Sequence, residues 1–177
     1  MRRLVLIVTF LWSICAALLA CDGGNTPPPS AGEVLTVMTD TLRSPPDGLL
    51  YTRSADPAGP NYLTDTFFSA LYGEAARGLL ESVSSADGVA AVGDVAMFLS
   101  VAPYPCELAV FRCSDIRTAA TVAGLCRGRL DTVTRGFAGS EWQEIAEGGR
   151  VAVKGCYVVL VIAEDAETVT ERVLRML

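Results

Sequence analysis

Apolar and polar positions follow helical and strand spacings over most of the chain, as they do in a globular domain. The clearest helical stripe runs over residues 116–137, with members three or four residues apart. A spacing of two appears in VAMFLSV (95–101) and returns in ELAVFR (107–112) after a short proline-containing loop, which is typical of a β-hairpin. Residues 151–163 are apolar on both faces in their second half, as in a central strand, and Lys154-Gly155 would allow two strands joined by a turn.

Further segments have the features of helices. Ser30 and Glu33 have the spacing of a capping box in front of an apolar stripe. Thr66 is the expected cap of a short helix, and a second helical stretch follows over residues 76–87. The last segment, 164–176, begins with acidic residues, which favour the amino-terminal turn of a helix.

The predicted order of elements is helix, helix, strand, strand, helix, strand, helix. Helices packed on one face of a small, mostly antiparallel sheet form a two-layer α+β domain. A chain of 177 residues is long enough for one domain of ordinary size. We therefore predict a single α+β domain over residues 33–177.

Residues 1–20 have the features of a secretory signal peptide. Arg2 and Arg3 form a positive amino-terminal region, and the mostly apolar stretch after them, about 17 residues, is short for a stable membrane span. The sequence LLAC at 18–21 resembles the bacterial lipobox, which implies transfer of diacylglycerol to the Cys21 thiol and cleavage after Ala20. An uncleaved signal anchor with an incidental thiol at Cys21 is the alternative.

Residues 21–32 are predicted to be a lipidated cysteine followed by a disordered tether. They are rich in Gly, Pro, Asn and Ser, and offer almost nothing that a core could bury. The part after Cys21 would span at most about 36–40 Å when extended. Because two or three acyl chains anchor a protein stably, we expect attachment to the extracytoplasmic face of the cell membrane.

The composition excludes several classes of function. The chain has 14 basic and 20 acidic side chains, a pI near 4.6 and a single lysine, Lys154, which argues against nucleic acid as a partner. Loss of the leader would make the formal charge of −6 two units more negative. The absence of histidine excludes Ser-His-Asp triads and His-ligated metals. The sequence also has no phosphate-binding glycine motif. For these two reasons we expect neither a cofactor nor a metal.

The cysteines beyond Cys21 are even in number, as expected of disulfides in an oxidising compartment. None of them forms a C-x-x-C pair, which disfavours a redox motif or a zinc ribbon. Two disulfides are favoured, while one disulfide with two free thiols and full reduction are the alternatives. The four residues are Cys106, Cys113, Cys126 and Cys156.

The predicted elements limit how these cysteines pair. Cys106 and Cys113 would lie about 23 Å apart at opposite ends of one strand, beyond the roughly 7 Å that a disulfide allows. A helix folded back over that strand would bring Cys126 to the Cys106 end. We therefore predict the pairs Cys106–Cys126 and Cys113–Cys156, provided that the strands 107–113 and 156–163 are antiparallel. Parallel strands would instead bring Cys156 to the Cys106 end.

Carboxylates and two aromatic side chains are the other candidate site residues. Trp142 lies in a predicted loop between Phe137 and Arg150, and Tyr104 lies between two prolines at the hairpin tip. Each is a candidate contact for a partner or glycan, and a buried loop anchor or a turn filler is the alternative. No spacing pairs the carboxylates for acid–base chemistry, so we predict a solvated surface for Asp94, Glu107, Asp115, Glu141, Glu144 and Glu147.

Five segments taken in order support a family resemblance: the lipobox, DVAMFLSV, CELAVFRC, CRGRLDTV and KGCYVVLVI. They resemble a family of small uncharacterised bacterial lipoproteins with a domain of unknown function, over roughly residues 34–177. The resemblance implies no catalytic residues. It implies a loose association with membrane-bound O-acyltransferases that act on extracellular polymers.

Two functional hypotheses follow. The first is a non-catalytic, membrane-anchored module that binds an unknown envelope protein or polymer. The second is an enzyme or accessory subunit of envelope polymer modification, such as O-acylation, which a pocket with two acids or an exposed free thiol would favour. Capture of a solute between two lobes is disfavoured, because the chain is too short to form them.

Overall fold

The computed structural model describes residues 27–81, 90–101 and 103–177. The predicted signal peptide, Cys21 and most of the predicted tether lie outside the described residues. The end of the second predicted helical stretch also lies outside them. The domain is therefore described from the residues just before its first helix onward.

The described residues form five α-helices, a short 3-10 helix and five strands, with a strand between the first two helices that the predicted order lacks. The α-helices are α1 (Ala31–Thr41), α2 (Asp65–Tyr72), α3 (Ile116–Gly136), α4 (Gln143–Glu147) and α5 (Ala166–Met176). A 3-10 helix, Glu74–Ala76, follows α2. The strands are β1 (Gly48–Thr52), β2 (Val92–Ser100), β3 (Glu107–Cys113), β4 (Arg150–Lys154) and β5 (Tyr157–Ile162).

The strands form one antiparallel sheet in the order β1–β2–β3–β5–β4. The central strand β3 pairs with β2 on one side and with β5 on the other, with Glu107 opposite Ile162. The β4–β5 hairpin turns at Gly155, whose φ of +57° is a conformation that glycine adopts without strain. The predicted α+β class, the antiparallel sheet and the turn after Lys154 are confirmed.

Helices cover both faces of the sheet, so the domain has three layers, whereas helices on one face were predicted. Ala109 and Phe111 of β3 lie in a cluster with α2 and α3 (face A), and Leu108 and Val110 lie in a second cluster with α1 and α5 (face B). The physical reason is that β3 and β5 are apolar on both sides, so each face must be shielded from water.

Two segments differ from the predicted secondary structure. Helix α4 forms within the stretch that was predicted to be a loop. The second predicted helical stretch begins as a 3-10 helix and continues in turns, with Gly78 at a φ of +79° that an α-helix cannot include. Among the described residues, no helix combines the length and the apolar character needed to cross a bilayer.

Helix α1 begins at the predicted capping box. The Ser30 hydroxyl accepts a hydrogen bond from the Glu33 amide at 3.2 Å, and the Glu33 carboxylate accepts one from the Ser30 amide at 2.7 Å. The bonds from Ser30 lower the pKa of Glu33 below its ordinary value. The cap of α2 is Thr64, two residues before the predicted Thr66.

The two ends of the sheet have different surroundings. At one end, the Tyr157 hydroxyl donates to the Pro29 carbonyl at 2.5 Å and the Ala31 amide donates to Asp94 Oδ2 at 2.8 Å. We call this the Pro29 end. The loop between β2 and β3 lies at the opposite end, which we call the hairpin end. The seven residues of β3 separate the two ends by about 23 Å.

Candidate functional site

Glu107 is a buried charge at the hairpin end, where it begins β3 with only 4% of its surface exposed. Arg129 of α3 donates from Nε to Glu107 Oε2 at 2.9 Å, and its Nη2 lies 2.8 Å from the same oxygen. Tyr72 of α2 donates its hydroxyl proton to Glu107 Oε1 at 2.9 Å. Both carboxylate oxygens are therefore hydrogen-bonded, and the arginine neutralises the buried charge.

The Tyr72 side chain is held by aromatic packing. Its ring meets Phe111 edge to face, with centroids 5.6 Å apart and an interplanar angle of 84°. Burial raises the pKa of Tyr72 well above its ordinary value, and the negative charge of Glu107 adds to this shift. The hydroxyl therefore stays protonated at neutral pH and acts as a donor to Glu107.

A cleft of about 220 Å³ opens beside this ion pair. Leu99, Val133 and Phe137 contribute apolar walls, and the Glu107–Arg129 pair is part of the lining. Arg129, Val133 and Phe137 are four residues apart on α3 and at its carboxyl end, so one face of that helix forms a side of the cleft. An apolar pocket with a few polar groups has the general form of a ligand site.

Arg129 has hydrogen-bond donors beyond those that Glu107 uses. Glu107 is contacted through Nε and Nη2, which leaves Nη1 outside the ion pair. Because Arg129 lines the cleft with 21% of its side chain exposed, this amino group can donate to a molecule bound there.

Tyr104 and Trp142, the two aromatic residues singled out from the sequence, lie against each other. Their ring centroids are 5.0 Å apart and their planes are inclined by 76°, an edge-to-face contact. Tyr104 lines the cleft, and Trp142 directly precedes α4. Both side chains are half-buried. We call this pair the aromatic rim, since it joins the hairpin loop to the α3–α4 connection.

The surroundings of Tyr104 are acidic. Burial raises the pKa of Tyr104 above its ordinary value, and Cys106, Glu164 and Asp165 add to the shift through their negative forms. The Ser100 hydroxyl donates to the Tyr104 carbonyl and so fixes the backbone of the loop. Asp165 is itself paired with Arg43 at 3.2 Å, so the acidic groups near Tyr104 are partly neutralised.

The remaining candidate carboxylates have other positions. Asp115 caps α3 by accepting a hydrogen bond from the Thr118 amide at 2.8 Å, which lowers the pKa of Asp115. Asp94 accepts a hydrogen bond from the Ala31 amide at the start of α1. Glu107 departs from the predicted solvated surface because Arg129 and Tyr72 compensate its burial. Within the described ranges, no three acidic or cysteine side chains are grouped so as to hold a metal ion. Of the six candidate carboxylates, Glu141, Glu144 and Glu147 are exposed, as predicted.

The four described cysteines have free thiols. Cys106 packs in the face B cluster and Cys126 in the face A cluster, so the sheet separates the two thiols. Neighbouring residues of a strand point to opposite faces, and Cys106 directly precedes the face A residue Glu107. The predicted Cys106–Cys126 pairing is therefore incompatible with this fold.

Cys113 and Cys156 lie opposite each other at the Pro29 end. The strands β3 and β5 are antiparallel, as the predicted Cys113–Cys156 pairing requires, and the Cys113 amide donates to the Cys156 carbonyl at 2.8 Å. Burial raises the pKa of Cys113 to about 12, and the negative form of Cys156 adds to the shift. The bridge is not formed in this structure, and the pairing stays a prediction.

The ion pair was missed in the sequence, although both residues have positional signals. Arg129 lies three residues after Cys126 and four before Val133, which places it on the buried side of α3. Glu107 has the same strand parity as the buried Ala109. Two opposite charges on inward positions of neighbouring elements are the pattern that could have indicated the pair.

Comparisons with protein-family models, with curated proteins and with solved structures find no match to this chain. The resemblance to small bacterial lipoproteins therefore stays a prediction. The chemistry of the cleft is interpreted from its own residues.

We expect Arg129→Leu to lower the free energy of unfolding by about 3 kcal/mol, because it leaves the Glu107 carboxylate buried without a counter-charge. This loss lies at the lower end of the range expected when a buried ion pair is broken, because 21% of the Arg129 side chain is exposed. Arg127→Leu, at an exposed position of the same helix, should change it by less than about 0.5 kcal/mol. Adding Glu107→Gln to Arg129→Leu should recover most of the loss. Urea denaturation measures all three, and equal effects of the two single arginine variants would contradict the assigned pair.

Non-reducing peptide mapping of the protein purified from its native host tests the cysteines. We expect Cys113 joined to Cys156, because the two residues face each other across β3 and β5. Cys106 and Cys126 should react with iodoacetamide only after unfolding, since both thiols are buried. Cys156→Ser serves as the control and should leave Cys113 unbridged. Recovery of a Cys106–Cys126 peptide would contradict the fold itself.

Proposed function

We propose that this protein is a lipid-anchored, extracytoplasmic binding module that holds a component of the cell envelope in its cleft. The observation that supports this most directly is the position of the cleft. It opens at the hairpin end, whereas the described chain begins at the Pro29 end. A protein attached through residues before Pro29 would present the cleft away from its attachment point.

The sequence supports the attachment. The lipobox at 18–21 predicts acylation of Cys21, and the eight residues from there to Pro29 reach at most about 28 Å. The length of β3 adds about 23 Å between the Pro29 end and the cleft. These distances favour a partner near the membrane surface over the lipid headgroups themselves.

The polar groups of the cleft suit recognition better than catalysis. Arg129 and Tyr72 occupy both oxygens of Glu107, so the carboxylate is not poised as a general base. Burial raises the pKa of Cys106 to about 12, which keeps its thiol protonated and weakly nucleophilic. Among the residues that line the cleft, Glu107 supplies the single carboxylate. The enzyme alternative was expected to show two acids in a pocket or an exposed free thiol. The cleft has one acid, and the free, partly exposed thiol of Cys156 lies at the Pro29 end, away from the cleft.

Mass spectrometry of the native protein tests the anchor. We expect an amino-terminal Cys21 that bears diacylglycerol, because its thiol is the nucleophile of the lipobox. Cys21→Ser should retain the leader, whereas the control Cys106→Ser should be acylated normally. Native protein with an unmodified Cys21, or protein released into the medium, would disprove the anchored function.

Photocrosslinking in intact cells tests the cleft. A photoreactive residue at the exposed Ala138, next to Phe137, should crosslink an envelope component. The same residue at Ile116 is the control, since Ile116 is 70% exposed but lies at the other end of α3. Tyr104→Ala should strongly reduce the Ala138 product by removing a wall of the cleft. Equal products from both positions, or a product insensitive to Tyr104→Ala, would show that binding does not involve the cleft.

A further inference from the structure

We infer that the cleft binds a single uncharged sugar unit of an envelope glycan, with the sugar ring against the apolar walls and its hydroxyl oxygens on Arg129. The inference rests on the proposed function, because it names the class of ligand for the same cleft. Three properties of the cleft support it: its size, its charge and its hydrogen-bonding demand.

The size of the cleft limits the ligand to one ring. Its volume of about 220 Å³ lies below the roughly 300–1,000 Å³ of sites for drug-sized molecules. A glycan would therefore enter through a terminal unit, while the rest of the polymer stays outside. The aromatic rim lies beside the cleft and offers ring surface to the next unit.

The charges around the cleft favour a neutral ligand. Arg129 is already neutralised by Glu107 at 2.8 Å, so it does not present an uncompensated positive charge. Glu164 acts on Tyr104, Asp165 is paired with Arg43 at 3.2 Å, and the formal charge of the chain is −6. A carboxylate or phosphate group would therefore meet no uncompensated positive charge at Arg129.

The hydrogen-bonding demand of Arg129 disfavours a purely apolar occupant. Covering an N–H group of Arg129 that the ion pair does not use, without giving it an acceptor, would be unfavourable. A pyranose satisfies this donor with hydroxyl oxygens. It also has a face of C–H groups, which pack on the negative face of an aromatic ring such as Phe137 or Tyr104.

Tryptophan fluorescence provides a direct test. Trp12 lies in the predicted leader, so Trp142 would be the sole tryptophan of the processed protein, and it contacts Tyr104. The processed, lipidated protein in detergent micelles would be titrated with methyl glycosides of glucose, galactose and N-acetylglucosamine. Glucuronate and N-acetyltyrosine amide are the anionic and peptide-like comparisons. We expect a saturable change in Trp142 emission with at least one neutral glycoside, and a weaker one with glucuronate.

Three variants connect the signal to the cleft. Tyr104→Ala should weaken binding about tenfold, whereas Tyr104→Phe should retain it, because the ring provides the contact. Tyr62→Ala is the control, since that ring packs with Arg53 beside Thr52, the last residue of β1, and does not line the cleft. The absence of a saturable sugar response would overturn the inference. So would an undiminished response in Tyr104→Ala, or a response to glucuronate or the tyrosine amide alone.

The crosslinking result separates the two proposals. If the Ala138 product persists but consists of protein and no glycoside binds, the ligand class is wrong and the binding function stands. If both the crosslink and the glycoside response are absent, the binding function fails as well.

Discussion

One buried carboxylate fixes the arrangement of the hairpin end. Glu107 connects the central strand β3 to α2 through the Tyr72 hydroxyl and to α3 through the Arg129 guanidinium. An ionised carboxylate in this position is tolerated only because both of its oxygens are bonded and its charge is balanced. The same bonds set the rotation of α3 about its axis. Val133 and Phe137 follow Arg129 at intervals of four residues, so the rotation that pairs Arg129 also turns them towards the cleft.

The three-layer arrangement gives this pair a rigid base. The central strands β3 and β5 are buried on both faces, and helices cover each side. Close packing on both faces leaves the start of β3 little freedom to shift relative to α3. Recognition groups held by packed strands and helices keep their positions better than groups on loops. In this protein, Arg129 belongs to the rigid part of the cleft, while Tyr104 and Trp142 come from connections.

Local patterns predicted the elements well, and long-range contacts account for the differences. The capping box of Ser30, the hairpin of β2 and β3 and the turn at Gly155 each depend on a few neighbouring residues. The second helical layer depends on where distant helices dock, which spacing alone does not encode. Contacts between Glu107 and Tyr72, 35 residues apart, are of the same kind. Tyr104 and Trp142 were singled out one by one, but their contact depends on where α3 ends relative to the hairpin.

The polarity of the cleft follows from its place in the fold. A carboxylate that must be neutralised to be buried cannot also present a net charge to a ligand. The proposed ligand would therefore be recognised by its shape and by the donors of Arg129 that Glu107 does not use. Changes in ligand preference would then arise in the loops that hold Tyr104 and Trp142, because those loops can vary without disturbing the buried pair. The Glu107–Arg129 pair thus supports both the fold and the proposed site. The aromatic rim differs, because its replacement would alter binding and leave the core intact.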